Sequence, residues 1–136
     1  MIQSGRRRLV LAAVLAAAFA SQGCAAKWAY RQGKQEADKG NWDLAVARFT
    51  KALGKDPDNI GYKIALERAK VQASRAHYEQ AKKYLAADDL LRAADELDIA
   101  SKYDPSNKSI LDELFLVKAR IRKQEAERER LADYEA

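Results

Sequence analysis

Apolar residues first run unbroken and then fall into helical spacing. Leu9 to Ala20 read LVLAAVLAAAFA, with no polar residue. From Ala26 onward apolar positions recur three and four residues apart, the period of an amphipathic helix. Trp28, Ala29, Gln32, Gly33, Glu36 and Ala37 mark the faces of a first helix over about Ala26 to Lys39. Ala45, Phe49, Ala52 and Leu53 share one face of a second, from Trp42 to about Gly54. Gly40-Asn41 separates the two: Gly40 suits a left-handed C-terminal residue, and Asn41 suits an N-cap. Lys55-Asp56-Pro57 closes the unit, because a residue before proline disfavours the helical region.

The next stretch, IGYKIALERAKVQA, has no breaker beyond Gly61, and a single long helix over about Asn59 to Ala86 fits it. Ile60, Ile64 and Val71 mark one side of that helix, and Leu66, Ala69, Ala73, Ala76, Tyr84 and Leu85 widen the stripe. Asp104-Pro105-Ser106-Asn107 then repeats Asp56-Pro57-Asp58-Asn59 after 48 residues. The echo runs backwards: Ala100 answers Ala52, Leu97 answers Phe49, Ala93 answers Ala45, Leu90 answers Trp42, and Asp88 stands where Gly40 stood. It predicts a helix from about Asp89 to Lys102. A last helix is expected behind a capping box at Ser109–Asp112. Ile110, Leu114, Val117 and Ile121 form its stripe, broadened by Leu111 and Phe115. Beyond Ile121 the chain is almost wholly polar, and residues 122–136 read as a solvated helical extension, a connector or a coiled-coil register.

The unit from Ala26 to Asn59 resembles a tetratricopeptide repeat. Gly33, Gly40, Trp42, Ala45, Phe49, Ala52 and Pro57 sit where that family places its glycines, aromatics, small residues and closing proline. The stretch from Ser74 to Asn107, through Ala93, Leu97, Ala100 and Pro105, resembles a degenerate second repeat. The resemblance implies an all-α fold, a TPR-like helical-repeat array with an elongated first helix in its second repeat and a long C-terminal helix. It also implies a surface for binding or assembly.

Arg6, Arg7 and Arg8 precede the apolar run, which at twelve residues is short for a permanent span of roughly 20. This is the layout of a secretory signal over residues 1–23. Ser21-Gln22-Gly23-Cys24 resembles a bacterial lipoprotein signal, which would make Cys24 the acylated N-terminus. Ser21 departs from the usual aliphatic residue, and Ala18-Phe19-Ala20 offers an alternative cleavage site that would release the chain without lipid. A retained membrane anchor is the third reading. With Ala25 rather than Asp after Cys24, the lipoprotein resemblance implies the outer membrane; cleavage after Ala20 implies the periplasm.

Charge changes the picture little. The formal net charge is +5, but residues 1–23 hold three arginines and no acid, leaving 22 basic and 20 acidic groups beyond them. A nucleic-acid partner therefore has little support. One cysteine excludes an intramolecular disulfide and a Cys-rich metal site. His77, the sole histidine, has no neighbouring ligand in sequence and reads as surface or interhelix packing. No Ser-His-Asp set, phosphate loop or metal-ligand cluster is present, so neither an enzyme nor a cofactor or metal is expected.

The expected organisation is a signal over 1–23, a TPR-like domain over 24–121 and a charged extension over 122–136. The expected function is a non-enzymatic interaction module of the bacterial envelope, with another envelope protein as partner and a lipid on Cys24. Tyr30, Arg31 and Lys34 are the expected contact residues. The order of signal, repeat, lengthened helix and second repeat is also similar to the N-terminal region of secretin-like proteins of type II secretion and type IV pilus systems. That resemblance implies a spacer role, or a piece of a longer protein.

Overall fold

The computed structural model describes residues 24–135, and the expected signal over residues 1–23, with both expected cleavage positions, lies outside them. The described residues form five α-helices and no strand. They are α1 (24–38), α2 (Trp42–Lys55), α3 (Ile60–Ala86), α4 (Leu90–Tyr103) and α5 (Lys108–Glu135). The chain divides into two compact units, one ending at Ala69 and the other beginning at Lys70. Helix α3 gives residues 60–69 to the first and 70–86 to the second.

In the first unit small residues set the approach of the helices. Ala26, Ala29 and Ala52 pack with Tyr62, and Ala45, Phe49, Leu66 and Ala69 form the adjoining cluster. Gly33 lies directly against Phe49: a Cβ there would meet two ring carbons at 2.6 Å. The ring of Tyr30 fills the space between, 5.5 Å from Phe49 and stacked 4.9 Å from Tyr62. Trp42, expected in the core with Phe49, is only half-buried.

The second unit has the same internal plan, 48 positions on. Ser74, Tyr78 and Ala81 stand for Ala26, Tyr30 and Gly33; Ile110, Leu114 and Val117 stand for Tyr62, Leu66 and Ala69. Ala81, Leu90, Ala93, Ala94, Leu97 and Ala100 pack with Ile110, Leu114 and Val117 into one core. Ser74 is the one buried polar side chain among the described residues, and its hydroxyl donates to the Ala100 carbonyl at 2.8 Å.

The turns repeat too. Gly40 has φ +80°, its N–H donates to Ala37 O (3.0 Å), and that of Asn41 donates to Glu36 O (2.9 Å). This double closure satisfies carbonyls at the end of α1 and needs a left-handed residue. Asp88 takes that conformation in the second unit, at φ +55°, with Asp88 N–H on Leu85 O and Asp89 N–H on Tyr84 O. Both Asp-Pro-x-Asn segments end one helix and start the next in one way. The Asn59 amide donates to Asp56 (2.9 Å) while its Oδ1 accepts from the Tyr62 N–H (3.2 Å). Asn107 does the same between Asp104 and Ile110, each at 3.4 Å.

Several local expectations are corrected. Asn41 precedes α2 but makes no side-chain cap; its amide donates to Glu36 Oε2 instead. Asn107, not Ser109, caps α5. On α3 Ile60, Ile64, Val71 and Ala76 of the expected stripe face solvent; Leu66, Ala69 and Ala73, which widened it, are buried as expected, together with Tyr62. On α5 the stripe Ile110, Leu114 and Val117 is buried as expected, but Leu111 and Phe115 are exposed.

Candidate interaction surfaces

Of the fold-defining positions, Gly33, Ala45, Phe49, Ala52, Ala93, Leu97 and Ala100 are buried and Gly40 makes the turn, whereas Trp42 is half-buried and Pro57 and Pro105 are exposed. The three residues expected to contact a partner divide. Arg31 and Lys34 are exposed on α1, but Tyr30 is half-buried between Phe49 and Tyr62. Its ring is therefore part of the first unit's packing rather than a free contact.

At 100° per residue, α1 has two clearly different sides. Ala26, Ala29 and Gly33 are buried, with Tyr30 and Ala37 half-buried beside them. Cys24, Lys27, Trp28, Arg31, Lys34, Gln35 and Asp38 are all exposed and lie on the other side. Cys24 is a free thiol, and Trp28 is 55% exposed.

On α5, Leu111, Phe115 and Leu116 are exposed, Phe115 by 65%. The first unit shows what a solvated surface carries at these positions: 48 residues earlier stand Lys63, Glu67 and Arg68. Sequence periodicity placed Leu111 and Phe115 in the core because a wide apolar stripe reads the same whether a chain covers it or not. Extending the 48-residue comparison to α5 was the signal that could have separated them.

Polar groups tie the helices of the second unit together. His77 Nδ1 lies 2.6 Å from Glu96 Oε2, and its ring stacks 5.9 Å from Tyr103. The pair joins α3 to α4, the interhelix role expected for His77. A hydrogen bond to Glu113 of α5 holds the Tyr78 phenol above its ordinary range, since ionisation would set two negative charges together. The Asp98 carboxyl is held below its ordinary value, first by its hydrogen bond to Lys102 and also by Lys118 of α5. These groups join structural elements and surround no reacting position. A shallow cleft of about 340 Å³ lies between the α3–α4 turn and α5, lined by Asp88, Leu91, Ile121, Glu125 and Arg128 among others. Among the described residues no three His, Cys, Asp or Glu side chains converge to hold a metal ion. No described helix is long and apolar enough to cross a membrane.

No protein-family model matches the chain, and no curated protein matches it. Among solved structures, a match titled "First TPR of Spaghetti (RPAP3) bound to HSP90 peptide SRMEEVD" is 16% identical. It covers 73% of this chain and 94% of that one, with a TM-score of 0.34. A likeness this loose assigns no ligand or partner here.

Proposed function

We propose that the chain is a non-enzymatic assembly module of the bacterial cell envelope, anchored by lipid on Cys24, that docks an amphipathic helix of another envelope protein on α5. The observation carrying the docking surface is the substitution of Lys63, Glu67 and Arg68 in the first unit by exposed Leu111, Phe115 and Leu116 in the second. Exposed apolar patches of this kind mark contact surfaces. An amphipathic helix laid along α5 would cover these side chains and leave the flanking charges solvated. The anchor reading draws on the basic and apolar sequence ahead of Cys24.

Site-specific photocrosslinking in cells tests the docking surface. A photoreactive residue at Phe115 should give one discrete adduct, lost when Leu111 and Leu116 are changed to Glu. The same probe at Glu67 is the matched control. Equal crosslinking from both positions would refute the assignment. Mass measurement of the mature N-terminus tests the anchor, and an unmodified chain beginning at Ser21 would refute it. The exposed run 122–134 of α5 favours a second reading, a spacer in a secretin-like outer-membrane complex. Under that reading the chain would be recovered only within a large envelope particle, and the Phe115 adduct would join it to a subunit of that particle.

A further inference from the structure

We infer that the outer face of α1 is itself a membrane-contact surface, seating Trp28 at the lipid–water boundary and Lys27, Arg31 and Lys34 on anionic headgroups. The inference rests on the envelope reading above and deepens it by assigning the lipid chemistry to a protein face. Three observations converge. First, Trp28 is a large aromatic left 55% exposed, on the side of α1 away from the buried Ala26, Ala29 and Gly33. Second, Lys27, Arg31 and Lys34 are spaced i, i+4, i+7 on that same side and are all exposed. Third, three cations, Lys27, Arg31 and Lys34, share this face with one acid, Asp38, one turn beyond Lys34, so the face keeps a net positive charge. The other acid of α1, Glu36, is half-buried and already engaged by Lys39 and Asn41.

An interfacial helix combines these features: an amphipathic ring at headgroup depth, with long basic side chains reaching anionic lipid. Tryptophan is favoured there because its ring is apolar and its N–H can stay hydrated. Core packing gives no account of Trp28, because the first unit's clusters are built from Ala26, Ala29, Phe49, Tyr62 and their neighbours without it. An acidic protein would satisfy the three cations, but would give no reason for an exposed tryptophan beside them. An anionic bilayer accounts for both.

The test uses the chain as the cell processes it, in a Trp42→Phe background, so that Trp28 is its sole tryptophan. Vesicles of zwitterionic phospholipid, alone or mixed with phosphatidylglycerol, carry brominated acyl chains that quench fluorescence on contact. Quenching and a blue shift of Trp28 are expected on the anionic vesicles, weakening in high salt. Each cation contributes about fivefold in apparent affinity, so K27Q/R31Q/K34Q should raise the lipid needed for half-maximal quenching on the order of a hundredfold. Circular dichroism should show the variant folded, because all three side chains are exposed. Trp28 left unquenched, or quenched equally in the triple variant, would overturn the inference. So would a blue shift equally large with soluble polyglutamate, which would assign the face to an acidic protein. The anchor fails separately. An unmodified N-terminal mass with quenched Trp28 refutes the lipid on Cys24 and supports this face; an acylated N-terminus with unquenched Trp28 does the reverse.

Discussion

Replacing Gly33 by alanine should destabilise the first unit, although alanine is the better helix former. The change gains about 1 kcal/mol of helix propensity. Against it stands the Phe49 ring, with two carbons 2.6 Å from the new methyl and a third at 3.1 Å. Phe49 is 4% exposed and wedged among Ala45, Leu66 and Ala69, so the ring cannot swing away freely. Overpacking a site this tight costs about 3 kcal/mol, the upper part of its usual range, leaving a net loss of about 2 kcal/mol. The second unit shows the relief: Ala81 stands at the Gly33 position and Leu97 at the Phe49 position, both fully buried in one core. Gly33→Ala with Phe49→Leu would recreate that pair. In the Phe49→Leu background, Gly33→Ala should therefore be neutral or stabilising, a coupling of about 2–3 kcal/mol. Urea unfolding followed by tryptophan fluorescence reads this directly, because both tryptophans, Trp28 and Trp42, lie in the first unit. A higher midpoint for Gly33→Ala alone, or an equal cost with Leu at position 49, would refute the reasoning.

The turn positions give a matched pair: Gly40→Ala should lower stability by about 1 kcal/mol, and Asp88→Gly should raise it by somewhat less than that, since the exposed Asp88–Arg120 contact is lost. Both are read from urea midpoints by circular dichroism. Asn59→Ala and Asn107→Ala should each cost about 1 kcal/mol by removing an N-cap, the first seen by tryptophan fluorescence and the second by hydrogen exchange in α5. Asp98 gives a pH dependence of fixed sign. Its folded value lies below the ordinary 3.8, so its contribution is complete above pH 3.8 and is lost as pH falls through the folded value. With its side chain 38% exposed and solvent screening the pair, the effect is about 0.3 kcal/mol. Acid titration of the melting midpoint should be flatter for Asp98→Asn, and a steeper fall in that variant would contradict the assignment.

Helix order and turn chemistry were legible because they rest on local residues: Gly40, Pro57, the two Asp-Pro-x-Asn segments and the 48-residue echo each act within a few positions of themselves. The buried face of α3 was legible only in part. Its first part buries Tyr62, Leu66 and Ala69, and its second buries Ser74 and Ala81 with Tyr78 and Leu85 partly covered. The expected stripe led with Ile60, Ile64 and Val71, which face solvent, while the positions that widened it included Leu66, Ala69 and Ala73, which are buried. The partner residues fared similarly. Tyr30 looked like an exposed aromatic because its cover, Tyr62, lies 32 residues away in another helix, a contact that local pattern does not carry.

The same 48-residue register explains why the end of α5 differs from the end of α3. Continuing it, Arg122, Glu125 and Glu129 take the places of Ser74, His77 and Ala81, and before them of Ala26, Ala29 and Gly33. Those positions must be small or internally paired for a following helix to approach, as the Gly33–Phe49 contact shows at 2.6 Å. A carboxylate at position 129 would be driven against an apolar ring and stripped of water, at a cost of several kcal/mol. All of residues 122–134 are exposed, with Arg130 paired to Glu127 along the helix. Residues 122–134 are therefore unsuited to seat a third helical hairpin in this register. The apolar surface that α5 does offer lies earlier, at Leu111, Phe115 and Leu116, beside the second core, where the proposed partner helix would dock with the charged run left in water.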